Sequence, residues 1–171
     1  MFNDNYCLTQ AVLNGSKTMT RRVLRDNVPL GNWEETIKHL PYKVGEVVAI
    51  SQSYKEVYPN ADFEMIGDKF MTESAGWTNK MFVRADLMRR HIEFTDVKVE
   101  LLQDISEQDC LREGIRYYPS SDKRWSNDSG YGYHIPKNGL HLFDTPYKAF
   151  ANLFERISGK GTWEINPWVA A

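Results

Sequence analysis

Lys43-Val44-Gly45-Glu46-Val47-Val48-Ala49-Ile50-Ser51 is the stretch that decides the fold class of this 171-residue chain. Its first four residues have turn character. The run from Val47 to Ser51 is apolar, rich in β-formers and too short for a buried helix, so it is expected as a barrel strand. Downstream, Ile92, Phe94, Val97, Val99 and Leu101 alternate with polar residues, the pattern of a half-buried strand from His91 to Leu101. A one-residue slip at Thr95-Asp96 predicts a bulge or bend there.

Working outward, Phe2, Tyr6, Thr9, Val12 and Leu13 share a helical face and Gly15 follows, which predicts a helix over 4–14. Lys17-Thr18-Met19-Thr20-Arg21-Arg22 comes next, and the polar stretch with Pro29 and Gly31 reads as irregular up to Pro41. Ser106 caps a short helix that Gly114 ends. Thr145 with Pro146 opens a helix over 146–158, in which Phe150, Leu153, Phe154 and Ile157 recur at helical spacing. Trp163 to Val169, containing Pro167, reads as a closing edge strand. Residues 58–80 and 116–143, rich in Gly, Pro and polar groups, are read as two long loop insertions. The expected whole is α+β, a single domain over 1–171 with flanking helices.

Composition narrows the function classes. Lys plus Arg number 21 against 23 Asp plus Glu, a net charge of -2, which argues against coating long nucleic acid by bulk charge; any RNA contact needs a local basic patch. Cys7 and Cys110 match no zinc spacing and no disulfide framework, so both are expected as reduced core thiols. His39, His91, His134 and His141 lack ligand spacing. Neither a metal nor a cofactor is expected. With no apolar run near the ~20 residues that span a bilayer and no leader-like start, a cytoplasmic protein without membrane contact is expected.

Gly15-x-Lys17-x-x-Thr20-x-Arg22 after the first helix, Val44-Gly45-Glu46 leading into a strand, and the segment Ser106 to Gly114 occur in one order. Phe143-Asp144-Thr145-Pro146 and Trp163-Glu164-x-Asn166-Pro167-Trp168 close it. In these pieces, spanning residues 2 to 169, the chain resembles the ASCH family, in particular its longer, phage-type members. The resemblance implies a PUA-like mixed β-barrel with flanking helices and a cleft for RNA, a nucleoside or a nucleobase. Some small members hydrolyse 4-acetylcytidine with a lysine, a threonine and a glutamate, and the matching positions here are Lys17, Thr20 and Glu113. Other relatives are ribonucleases or non-catalytic RNA-binding modules, so the family fixes a fold better than a reaction.

The chemistry of that trio can be weighed by residue type. A threonine hydroxyl needs a base before it attacks a carbonyl. Lysine ordinarily titrates near ~10.4, so Lys17 serves as that base only if burial or nearby cations such as Arg21 and Arg22 lower it. Glu113 beside it works the other way. Glu113 can instead shuttle the proton while Lys17 stays charged and steadies an oxyanion; the residue types leave both roles open. Residues three apart point to opposite faces of a regular strand, so Lys17 and Thr20 converge only where the chain is turned. The plainer reading is a solvated strand edge and an exposed helix-end carboxylate.

Arg21, Arg22, Arg89 and Arg90 are the further candidate ligand contacts, with Arg112 and Arg116 a third basic cluster. Arginine's fork suits phosphate, although surface ion pairs explain such clusters equally well. Tyr117, Tyr118, Trp125, Tyr131 and Tyr133 interleave with them as base-stacking or loop-packing rings. Trp33, Trp77, Trp163 and Trp168 read as core or rim side chains. Gly15-Ser16-Lys17-Thr18 and Gly159-Lys160-Gly161-Thr162 fail as phosphate loops, and no serine-hydrolase elbow is present.

Overall fold

The structure is a computed structural model, and it describes residues 1–120, 129–136 and 138–171. In chain order its helices are α1 (Leu8–Leu13), α2 (Trp33–His39), α3 (Tyr54–Val57), α4 (Glu107–Arg112), α5 (Pro146–Ser158) and α6 (Thr162–Ile165). The strands are β1 (Arg22–Val23), β2 (Val47–Ala49), β3 (Met65–Ile66), β4 (Lys69–Phe70), β5 (His91–Glu93), β6 (Val99–Leu101), β7 (Arg116–Tyr118), β8 (Gly130–Ile135), β9 (Gly139–Phe143) and β10 (Trp168–Ala170). The class is α+β. Among the described residues the strands form separate two- and three-stranded sheets, with no closed barrel. No helix among them is long and apolar enough to cross a membrane. The chain divides into two compact units, Met1–Phe2 with Val44–Thr95, and Asn3–Lys43 with Asp96–Ala171.

In the first unit β2 pairs antiparallel with β5, Val48 opposite Ile92, so the strand expected from Val47 forms but ends at Ala49. Its core is Tyr54, Val57, Ala61, Met71 and Met88. Residues 58–80 contribute to that core and carry the β3–β4 hairpin, in which Met65 faces Phe70. The Tyr54 hydroxyl accepts the Arg84 amide at 2.8 Å, which gives this buried phenol the partner it needs.

The second unit holds the sheets β1-β10-β6 and β7-β8-β9, all antiparallel. Helix α5 forms over the expected residues: Thr145 accepts from the Lys148 amide at 3.2 Å, Pro146 sits in the first turn, and Ala149, Phe150, Leu153 and Phe154 are buried. It packs against α4, α6, β8 and β9.

Several sequence expectations are corrected. The helix over 4–14 is broken at Cys7, whose φ of 54° is left-handed. The stretch expected to be irregular before Pro41 contains α2, whose amide of Glu34 is capped by Asn32 at 2.9 Å, with Glu34 and Glu35 in its first turn and Lys38 and His39 in its last. The strand from His91 to Leu101 is two strands in different sheets. Residues 116–143, expected as a loop, contain β7, β8 and β9. Their glycines belong to the sheet: a Cβ at Gly130 would lie 2.8 Å from the Phe143 carbonyl oxygen. The closing segment is α6 and then β10, and β10 is the central strand between β1 and β6. Pro167 has no N–H to donate and stays just outside it, its carbonyl accepting the Leu102 amide at 3.0 Å.

Candidate functional site

The site is built in the second unit from the segment after α1 and the end of α4. Gly15, at φ 75°, turns the chain out of α1, and the Lys17 amide returns to the Ala11 carbonyl at 2.9 Å. The next two amides, Thr18 and Met19, both donate to the Arg112 carbonyl, at 2.8 and 3.1 Å. Successive amides of a regular strand point in opposite directions, so the chain is turned between Lys17 and Thr20. Helix α4 is capped by Ser106, whose hydroxyl accepts the Asp109 amide at 3.1 Å. Its end is set by Gly114 at φ 105°, a backbone conformation that favours glycine, and the Lys17 stem packs there, with Cβ and Cδ at 3.5 and 3.7 Å from where a Cβ would stand.

Lys17 and Glu113, 96 positions apart, meet there. The Lys17 ammonium donates to Glu113 Oε2 at 2.5 Å, to the Glu113 carbonyl at 2.9 Å and to the Met19 carbonyl at 2.7 Å. An ammonium has three N–H groups, and all three are directed inward. Both residues are buried, at 5% and 4% exposure. Burial pushes the Lys17 amine below the ordinary lysine range, Glu113 pulls it back, and Arg22 and Arg21 reinforce the lowering.

Arg21 is the centre of the charge network, its side chain fully enclosed. Its Nε and Nη2 donate to Glu100 Oε1 at 3.0 and 2.5 Å, Nη2 reaches Asp109 Oδ2 at 3.3 Å, and Nη1 reaches Glu113 Oε1 at 3.2 Å. Lys98 bridges Asp109 and Glu100, both at 2.9 Å. Burial would raise the Asp109 carboxyl, but Lys98 and Arg21 hold it below the usual carboxylate range. Arg112 also reaches Asp109 Oδ1 at 3.4 Å, so Lys17, Arg21, Lys98 and Arg112 face Glu100, Asp109 and Glu113, four cations against three carboxylates. Cys110, fully buried beside them, is pushed up to about 12 by burial and is an inert thiol. Cys7 is half-buried, with Sγ 3.7 Å from His134 Nδ1.

The remaining predicted site residues fall elsewhere. Thr20 is half-buried and joins no hydrogen bond of its side chain among the described residues, so its hydroxyl reaches solvent outside the Lys17–Glu113 pair. Arg22, on β1, is half-buried and its guanidinium hydrogen-bonds the Tyr42 phenol. Arg89 and Arg90 belong to the first unit, where both are exposed and Arg89 lies over the Tyr58 ring at 4.6 Å. Arg116 is exposed and donates to Asn14 and Ser16. Tyr117 pairs with Tyr131 across the sheet at 5.2 Å, while Tyr133 is buried and donates to Asn152 at 2.7 Å. Trp125 lies outside the described residues.

Sequence reading missed Lys98, Glu100, Asp109 and Tyr42 as members of the site. A signal was present for two of them. Lys98 and Glu100 are two apart on an extended chain and so share its polar face, where opposite charges can pair, as they do at 2.9 Å. In comparison with known proteins, the chain matches no family model, no curated protein and no solved structure.

Proposed function

We propose that this is an ASCH-type protein with a PUA-like fold whose Lys17–Thr20–Glu113 site hydrolyses an acylated cytidine of the 4-acetylcytidine kind. The observation that carries the reading is the buried Lys17–Glu113 contact at 2.5 Å, with the Lys17 amine lowered by desolvation. A base of this kind needs a lowered amine and a proton partner at hydrogen-bond distance. Non-catalytic RNA binding and ribonuclease action, in the forms the sequence suggests, need Lys17 to face a phosphate. Its three inward N–H bonds weigh against both, and against the oxyanion role for Lys17.

In the proposed reaction substrate binding brings the Thr20 hydroxyl, which lies outside the Lys17–Glu113 pair, up to the Lys17 amine; Lys17 passes its proton to Glu113 and, as the neutral amine, takes the Thr20 hydroxyl proton. The Thr20 oxygen attacks the acyl carbonyl. The bond from that carbonyl to the cytosine amine breaks, a proton from the pair goes to the leaving nitrogen, and cytidine departs. Water then cleaves the threonine ester, which releases the carboxylic acid and restores the hydroxyl. Incubation with 4-acetylcytidine, followed by chromatography for cytidine, tests this. Thr20→Ala is expected to lower turnover by about 100-fold or more, the range for losing an activated nucleophile or its base. Full turnover by that variant overturns the mechanism, and cleavage of unmodified RNA by the wild type would favour the ribonuclease reading instead.

A further inference from the structure

The segment from Met19 to Val23 presents two faces. Arg21 Nη1 lies 3.1 Å from Met19 Sδ, so these two side chains share one face, the enclosed one. Residues alternate along an extended chain, and β1 begins at Arg22, opposite Ala170. Thr20 and Arg22 therefore share the other face. Both are half-buried, in contrast to Arg21. Tyr42 stands on that side: its phenol takes a hydrogen bond from Arg22, and its ring packs on the cluster of Leu40, Val97 and Ala170. Arg22 follows directly on Arg21, whose Nη1 holds Glu113 Oε1 at 3.2 Å, and its charge helps to lower the Lys17 amine.

The inner cluster sets four cations, Lys17, Arg21, Lys98 and Arg112, against the three carboxylates Glu100, Asp109 and Glu113, and Arg22 adds a further positive charge next to Arg21 in the chain. A guanidinium hydrogen-bonded by an aromatic hydroxyl, on the same face as a half-buried threonine whose hydroxyl reaches solvent, is suited to a phosphate. We propose that this face is the phosphate side of the ligand site. The substrate is then a phosphate-bearing acylcytidine, as a nucleotide or within an RNA strand, and not the free nucleoside. Tyr42 is the positioning residue that aims Arg22. The inference rests on the acylcytidine reading of the same site and adds a subsite to it.

The test compares three substrates: 4-acetylcytidine, its 5′-monophosphate and a short single-stranded RNA carrying one such base. In the wild type, kcat/KM for at least one phosphate-bearing substrate is expected to exceed that of the nucleoside by about tenfold or more, the worth of one charge-assisted hydrogen bond. Which of the two gains tells a monoester from a strand phosphate. Arg22→Gln is expected to bring the substrates to near equality. Tyr42→Phe keeps the ring packing and is expected to raise KM for the phosphate-bearing substrate more than for the nucleoside, a difference that general loosening of the fold would not produce. Calorimetric binding of cytidine 5′-monophosphate against cytidine gives a readout independent of turnover. Equal kcat/KM for all three substrates overturns the phosphate side and leaves the acylcytidine reading standing. Arg22-dependent binding of the monophosphate without any turnover keeps the phosphate side and removes the hydrolase. Binding of neither compound removes both.

Discussion

Lys17 spends every N–H it has on partners inside the protein, and that makes it a structural residue as well as a chemical one. Removing one member of a buried ion pair leaves the other without its counter-charge, which typically costs about 3 kcal/mol or more. Lys17→Met is therefore expected to lower stability by roughly that amount in urea unfolding. In the double variant Lys17→Met with Glu113→Gln the loss should fall short of the sum of the singles by about 1 kcal/mol or more. Strict additivity would mean that the contact is energetically idle. The sequence named both residues, because the motif and the helix-ending Gly114 are local. It did not show that Arg21 would be enclosed by Glu100 and Asp109, 79 and 88 positions away, since nothing in the pair Arg21-Arg22 distinguishes the enclosed residue from the accessible one. The face that each takes is decided by the register with β10.

At the scale of elements, α4 is the part that aims the site. Its carboxylate is delivered by a left-handed glycine, and Gly114→Ala places a side chain at φ 105°. The space there is ordinary van der Waals contact, so the cost comes from backbone conformation, and about 1 kcal/mol or more of stability should be lost. Thermal unfolding would measure it, and an unchanged midpoint would show that the turn can relax without cost. Helices α4 and α5 were legible because cap, periodicity and terminator are written within a few residues of one another. Helix α2 was not, because it has little apolar periodicity and leans on Asn32 and its end charges. The sheet β7-β8-β9 was hidden by its own glycines. Gly130 and Gly132 signal a loop in isolation, yet they are required where β9 carbonyls approach β8 too closely for a Cβ.

Across the whole molecule, the net charge of -2 conceals how unevenly charge is placed. Asp109 is held below its ordinary range in the fold, so its contribution is present above the unfolded value near ~3.9 and is lost as pH falls through the lower folded value. Acid should therefore destabilise the protein in that window, as Arg21 and Lys98 lose a partner. Asp109→Asn should flatten this acid limb in a series of unfolding curves, and a limb of unchanged steepness would remove Asp109 from the account. Lys17 acts at the other end. Its folded value is also lowered, so between that value and the unfolded one near ~10.4 the unfolded chain holds more protons, and stability from this group rises with pH.

The position of β10 has a consequence for biosynthesis. Residues 168–170 lie between β1 and β6, and neither outer strand pairs with the other. While the ribosome is still translating the region before Trp168, Arg22–Val23 and Val99–Leu101 are unzipped neighbours lacking their shared middle. Exposed strand edges of this kind attract wrong partners. This sheet therefore closes only after residues 168–170 have left the ribosome.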